Sequence, residues 1–263
     1  MTAPTSSTGS TASTGTLLAG RRVIVTGGAN GIGAVVARRF AEMGACGVVL
    51  DLPGSLAGAP ADGWHTAPVD VRDEDSMRAA VAESARLLGG IDAVVAAAGV
   101  VPSWQRPAEM DLTDFDRVLS INARGVACTI KHASPRLGPG GAITVVASLN
   151  SWRGDPNITS YAASKHAALG IVRSAALALG PDGIRVNAVA PGPIATDALR
   201  SRMASRRETT GLQVDEALER SARATSLGRI ATAAEVADAI AFLTSDLSSG
   251  ITGQLINVDG GIH

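Results

Sequence analysis

The stretch Arg22-Val23-Ile24-Val25-Thr26-Gly27-Gly28-Ala29-Asn30-Gly31-Ile32-Gly33 decides the fold. Its first five residues form a β-branched apolar run, which predicts a buried strand. The glycine-rich turn that follows opens an Ala-rich helical stretch reaching about Met43. Glycines at such a turn let the backbone bend tightly and approach a pyrophosphate. The helix start adds free N–H groups and the positive end of its dipole. A strand, a glycine turn and a helix in that order predict the first β-α unit of a nucleotide-binding sheet.

Outward from this unit the same alternation continues. Strands are predicted at Gly47–Leu50, more weakly at Trp64–Val69, and at Asp92–Ala96, Ala142–Ala147, Ile184–Val189 and near Gln254–Val258. Helices are predicted over about Glu74–Leu88, Leu112–Leu137, Ser160–Leu179 and Ala233–Leu243, with a polar helical segment over Asp197–Ser226. Near-continuous Val/Ile/Ala strands, each followed by a helix, predict one doubly wound α/β domain, its parallel sheet covered on both faces. At 263 residues, one such domain buries roughly 70–75% of its unfolded surface. Met1 to about residue 17 is rich in Ser, Thr, Gly and Ala and reads as a disordered tail. It has neither the positive nor the apolar region of a signal peptide. Residues 18–263 form the domain, and 197–226 are long enough for a lid over a substrate.

Composition removes several function classes. With 23 basic and 24 acidic residues, no electrostatic argument favours nucleic acid or an anionic membrane as partner. No apolar run reaches the ~18–20 residues that span a bilayer. Cys46 and Cys128 lie far apart, without a Cys-x-x-Cys pattern or a nearby His cluster. The reading is therefore a reducing compartment, the cytoplasm, with neither disulfide framework nor metal site.

Asp51 closes the second strand. A carboxylate there accepts hydrogen bonds from the hydroxyls of an adenosine ribose and repels a 2′-phosphate, a preference of ~100-fold or more. Ala29, Asn30 and Leu52 supply no cation to receive such a phosphate, so NAD is favoured over NADP. Asp70 and Val71, at the end of the third strand, are candidates to meet the adenine; alternatively, Asp70 caps the next helix.

The chain holds one tyrosine, and of its 23 basic residues only Lys131 and Lys165 are lysine. That tyrosine stands four positions before Lys165, in Tyr161-Ala162-Ala163-Ser164-Lys165. On a helix these two side chains share a face. An ammonium beside a phenol favours the phenolate, converting Tyr161 into a general base for alcohol oxidation and a general acid in reverse. Ser148, after the fifth strand, is placed to hydrogen-bond a substrate oxygen as charge develops on it. Asn122 is a poor mid-helix residue; its side chain is expected to distort its helix and hold a water linking Lys165 to solvent.

These residues resemble the short-chain dehydrogenase/reductases: T-G-x-x-x-G-x-G at Thr26–Gly33, Asn122, Ser148, and Y-x-x-x-K at Tyr161–Lys165. Pro191-Gly192 with Thr196, and the closing Asp259-Gly260-Gly261, are similar to the same family. The resemblance implies a seven-stranded Rossmann sheet and a catalytic tetrad of Asn122, Ser148, Tyr161 and Lys165. It implies that Lys165 also binds the nicotinamide ribose and that Ile194 and Thr196 hold the carboxamide. It further implies a homotetramer packed through the long helices, with no metal required. The expected NAD site comprises Gly27, Asn30, Gly31, Ile32, Gly33, Asp51, Asp70, Val71, Ala97, Gly99, Tyr161, Lys165, Ile194 and Thr196. One departure is visible: Ala96-Ala97-Ala98-Gly99 stands where the family often has N-N-A-G, with a cost expected in stability or cofactor affinity.

Specificity is expected from loops beyond the strand ends, Val100–Gln105, Leu149–Asn157 and the segment after Thr196, with Trp104, Leu149 and Trp152 in an apolar substrate pocket. The leading expectation is an NAD-dependent dehydrogenase interconverting a secondary alcohol, cyclic ones included, and its ketone. The alternatives are a carbonyl reductase or 3-oxoacyl-carrier-protein reductase, and a non-catalytic NAD-binding module.

Overall fold

The computed structural model describes residues 16–58, 63–196, 199, 204 and 213–262. Seven strands form one sheet: β1 (Arg22–Thr26), β2 (Cys46–Asp51), β3 (His65–Pro68), β4 (Ala93–Ala96), β5 (Ala142–Val146), β6 (Arg185–Pro191) and β7 (Leu255–Val258). Their order is β3-β2-β1-β4-β5-β6-β7, and every pairing is parallel. The chain reverses its winding between β1 and β4, and at such a switch point the strand ends splay to leave a crevice.

Strand residues alternate between two apolar layers, as the period of two demands. Ile24, Val48, Val94, Ile143 and Val186 face one layer, built on α2 (Glu74–Leu88), α4 (Gly125–Ala133) and α5 (Thr159–Leu179). Val23, Val25, Val95 and Val189 face the other, with Phe40 from α1 (Gly31–Glu42) and Val236, Ile240 and Leu243 from α7 (Ala233–Thr244). Both faces of the sheet are thus covered, and this doubly wound Rossmann arrangement agrees with the strand-helix alternation of the sequence.

The helix expected from Leu112 and the N-terminal boundary of the domain differ from expectation. The helix expected over Leu112–Leu137 is α3 (Leu112–Leu119), a π-helical turn (Ser120–Arg124) and then α4, which gives way to a 3₁₀ turn at Ser134–Arg136. Pro135 explains the end, because it cannot donate to the helical ladder. At the other end of the chain, Leu17 packs against the apolar layer and Leu18 is fully buried, so packing begins one residue before the expected boundary. Residues 1–15 of the tail and most of the expected lid, including Arg200, Arg202, Arg206 and Arg207, lie outside the described residues. Toward the far end of the segment expected to form a lid stands α6 (Val214–Arg223). Among the described residues, no helix is long and apolar enough to cross a membrane.

The alanines after β4 leave a trace. Ala97 N donates to Thr26 O, whereas the buried Thr26 Oγ1 has no hydrogen-bond partner among the described residues. With only methyl side chains at positions 96–98, no side chain there can accept its proton.

Arg185 is a buried cation with a structural task. Its guanidinium donates to Leu243 O at 2.8 Å, Ser245 O at 3.0 Å and Ser248 Oγ at 2.6 Å. It thereby satisfies carbonyls at the C-terminal end of α7, where a positive charge also meets the negative end of the helix dipole. Burial holds its pKa below the ordinary arginine value. Arg185→Leu leaves the Leu243 and Ser245 carbonyls to share the single Ser248 hydroxyl proton, at a cost on the order of 2–4 kcal/mol. The expected result is a melting temperature lower by roughly 5–10 °C with Michaelis constants unchanged, read by thermal unfolding beside steady-state kinetics.

Candidate active site

The glycine turn leads from the end of β1 into α1. Gly27 has φ +67°, and a Cβ on it would lie 2.5 Å from Ala98 Cα. A Cβ on Gly33 would lie 2.1 Å from Gly27 O. Both positions therefore exclude a side chain: the turn is folded against the loop after β4 and against itself. Gly31 is the reverse case, with nothing within 4 Å of an added Cβ. Its open side borders a cavity of about 480 Å³ that runs along the carboxyl ends of the strands. Asn30 makes no side-chain capping hydrogen bond to α1, and the first turn of α1 contains no acidic residue. The start of the helix thus presents uncompensated N–H groups toward the cavity, a fit for a pyrophosphate.

All fourteen residues expected to bind the cofactor line this one cavity, from Gly27 through Asp51 and Asp70 to Ile194 and Thr196. Asp51 is half-buried; its Oδ2 accepts from Ala29 N at 3.0 Å and its Oδ1 from Leu52 N at 2.8 Å. These bonds fix the carboxylate against the glycine turn, and further lone pairs remain for ribose hydroxyls. Asp70 is not the cap of α2. That role falls to Asp73, whose side chain accepts from Ser76 N. The Asp70 carboxylate is instead gripped by Arg72, with Nε at 3.0 Å and Nη2 at 2.6 Å. The guanidinium and the backbone of Arg72 hold the Asp70 carboxyl below its usual range.

The carboxyl end of β5 holds two members of the tetrad. Lys165 Nζ donates to Val146 O at 2.8 Å, two residues before Ser148. Ser148 Oγ accepts from Asn150 N at 3.2 Å, and Ser148 N donates to Ser151 Oγ at 3.3 Å. This small 3₁₀ turn orients the Ser148 hydroxyl while leaving its proton to be given to a ligand. Tyr161 and Lys165 share a face of α5, with Nζ 5.7 Å from the phenol ring centroid. Ser148, Tyr161 and Lys165 all line the cavity. Asn122 does not; it is fully buried behind it, in the π-helical turn. Its Oδ1 accepts from Val100 N at 2.8 Å, and its Nδ2 donates to Val100 O at 2.8 Å and Ser164 Oγ at 3.0 Å. The inward amide and the widened helix turn occur at the same place, as the awkwardness of a mid-helix Asn predicts.

Burial pushes the Lys165 ammonium down to about 8. The charged form is what burial penalises, so the cost to the fold is whole below pH 8. It shrinks between pH 8 and the unfolded value near 10.5 and vanishes above that. Between pH 7 and pH 9.5 this cost falls by about 2 kcal/mol. Lys165→Met removes the charge, so its melting temperature relative to the parent is expected to be highest at pH 7. That advantage should decline by roughly 4–8 °C at pH 9.5, as read by calorimetry of both proteins; a pH-independent difference would contradict a penalised ammonium.

The expected substrate residues fare differently. None of Trp104, Leu149 and Trp152 lines the cavity, and the two tryptophans are 37% and 46% exposed. Their loops are instead pinned to each other, with Gln105 N donating to Asn157 O at 2.8 Å, and Trp152 lies near the Arg153 guanidinium. Sequence reasoning missed Arg72 and Ile121, which do line the cavity, while Val100, Val101 and Leu199 reach it from two of the loops expected to set specificity. It also missed Ser164, although Ser164 sits inside the Tyr-Lys motif.

A parallel Rossmann sheet whose switch-point crevice holds a glycine turn, an acidic strand end and a Tyr-Lys pair defines an oxidoreductase site. A family model described as enoyl-(acyl carrier protein) reductase matches residues 27–263. The (−)-isopiperitenol/(−)-carveol dehydrogenase, mitochondrial, of Mentha piperita is 42% identical, over 94% of each chain. The cis-4-hydroxycyclohexanecarboxylate dehydrogenase of Sinomonas cyclohexanicum is 39% identical, over 94% of this chain and 98% of its own. Among solved structures, carveol dehydrogenase from Mycobacterium avium in complex with NAD superposes with a TM-score of 0.87. It is 29% identical, covering 94% of this chain and 98% of its own. The chain belongs to the short-chain dehydrogenase/reductase family.

Proposed function

We propose that the chain is an NAD-dependent dehydrogenase that interconverts a secondary alcohol, cyclic ones included, and its ketone. The observation that carries this reading is that Tyr161, Lys165 and Ser148 open onto the same cavity as the glycine turn and Asp51. Bound NAD supplies the hydride acceptor. The amides at Gly31, Ile32 and Gly33, with Asn30 beside them, receive the pyrophosphate, and Asp51 receives the ribose hydroxyls. Asp70, Val71, Ala97 and Gly99 border the adenosine side; Ile194 and Thr196 hold the carboxamide. Ser148 donates to the substrate oxygen, Tyr161 removes its proton, and Lys165 favours the phenolate while binding the second ribose. Two relatives act on ring-borne hydroxyls by name, carveol and cis-4-hydroxycyclohexanecarboxylate, which supports the cyclic class. The working form is proposed to be a cytoplasmic homotetramer packed through the long helices.

The test is the absorbance of reduced nicotinamide with a panel of cyclic, acyclic and sugar alcohols, offered with NAD or NADP. Turnover with NAD is expected at ~100-fold higher efficiency than with NADP, and Asp51→Ala is expected to narrow that gap by at least tenfold. Turnover with NADP alone would refute the cofactor assignment. Cofactor binding without turnover on any alcohol or ketone would favour the non-catalytic module, and ketone reduction alone the reductase alternative.

A further inference from the structure

The amide of Asn122 makes three hydrogen bonds, two to Val100 and one to Ser164. Its orientation is unambiguous. Val100 offers both an N–H and a carbonyl, and a flipped amide would set donor against donor and acceptor against acceptor. Ser164 is fully buried, and its hydroxyl donates to Tyr161 O at 2.8 Å. Helical serines commonly bond back to a carbonyl one turn earlier. Here the same oxygen also accepts from Asn122 Nδ2, so the hydroxyl and the Asn122 amide together join three segments: the loop after β4, the π-helical turn and the first turns of α5.

We infer that Ser164, a residue outside the tetrad, is a positioning residue that fixes Tyr161 and Lys165 through the Asn122 amide. The inference rests on the dehydrogenase reading above. Ser164 lies three residues after Tyr161 and immediately before Lys165, on the segment whose placement sets the proton-transfer geometry. A Cβ added to Gly99 would lie 3.2 Å from Asn122 Oδ1 and 3.5 Å from Lys165 Nζ, so these two atoms face one small space. Without the Ser164 hydroxyl, one Asn122 N–H loses its buried acceptor while the two bonds to Val100 keep the amide in place, so the link from that amide to α5 is what is lost. The turn of α5 that carries Tyr161 and Lys165 then loses its anchor to the Asn122 amide and shifts against it. The glycine turn and Asp51 are held by other elements, so the change falls on the chemical step rather than on cofactor binding.

Ser164→Ala and Ser164→Thr are compared with the parent enzyme, with Tyr161→Phe as control. Ser164→Ala is expected to lower kcat on the order of tenfold, leaving the KM for NAD within about twofold. Threonine keeps a hydroxyl able to bond the carbonyl one turn back and is expected to restore most of kcat. If Ser164→Ala does not fold, Ser164→Cys carries the test. Its weak sulfur donor and acceptor predict a reduced kcat at unchanged circular dichroism. The inference is overturned by a parental kcat in the Ala variant (or in Cys, where that carries the test), by failure of Thr to rescue, or by kcat, KM and melting temperature falling together. If Tyr161→Phe keeps parental turnover, the dehydrogenase reading itself fails. An inactive Tyr161→Phe beside a fully active Ser164→Ala overturns the positioning role alone.

Discussion

Tyr161→Phe is expected to lower kcat for alcohol oxidation by ~10³-fold, the range spanned by removal of a positioned general base. The substitution removes one oxygen from a half-buried side chain and leaves the ring beside Lys165. Fold and NAD affinity should therefore stay near parental values, the latter read by calorimetric titration. This split is diagnostic, because a protein that only senses the nucleotide has no use for the phenol and would lose nothing. The missing phenol has no ready substitute beside the substrate: Ser148 is oriented to donate, and Lys165 Nζ is held toward Val146 O.

Gly33→Ala is expected to be severely damaging, because among the described glycines its added Cβ would meet the closest atom. The new Cβ would stand 2.1 Å from Gly27 O and 2.9 Å from Gly27 C. These are backbone atoms in a turn held at both ends, by Gly27 N on Leu50 O and by the first bonds of α1. Relief requires the turn to move away from the helix start, which dismantles the amide cradle. The expected outcome is a loss of stability on the order of 3 kcal/mol and an NAD affinity weakened ~100-fold. Gly250→Ala is the control, because its added Cβ meets nothing within 4 Å. Thermal unfolding and NAD titration of the two variants test the contrast, and equal behaviour would contradict the crowding argument.

The cofactor side of the site was more legible in the sequence than the substrate side, and the reason is physical. Gly27, Gly33 and Asp51 act through backbone conformation and strand position, both encoded over a few neighbouring residues. Tyr161 and Lys165 are related by helical periodicity, which is equally local. Trp104 and Trp152 were assigned by size and polarity alone, and the direction a loop residue faces is settled by remote partners such as the Gln105–Asn157 bond. Asp70 shows a subtler limit: its position was predicted, but its capture by Arg72 depends on side-chain geometry two residues on. The helix expected from Leu112 was anticipated to be distorted at Asn122. Its full division needed knowledge that Val100 and Ser164 wait on either side of that amide. Val101 and Leu199 lie in loops expected to set specificity, but as ordinary apolar residues they carried no signal that picks them out within those loops; the crossover at β4 and the chain after β6 bring them to one place.

The tyrosine that faces Lys165 is the only phenol in the chain, which makes the protein its own spectroscopic reporter. The ultraviolet change that accompanies phenolate formation arises from one side chain, at the point where proton transfer is proposed to occur. An alkaline titration of the intact, unlabelled protein therefore records the ionisation of that single group. Repeating it with cofactor or a ketone in place measures how much each bound molecule alters the acidity of the proposed base.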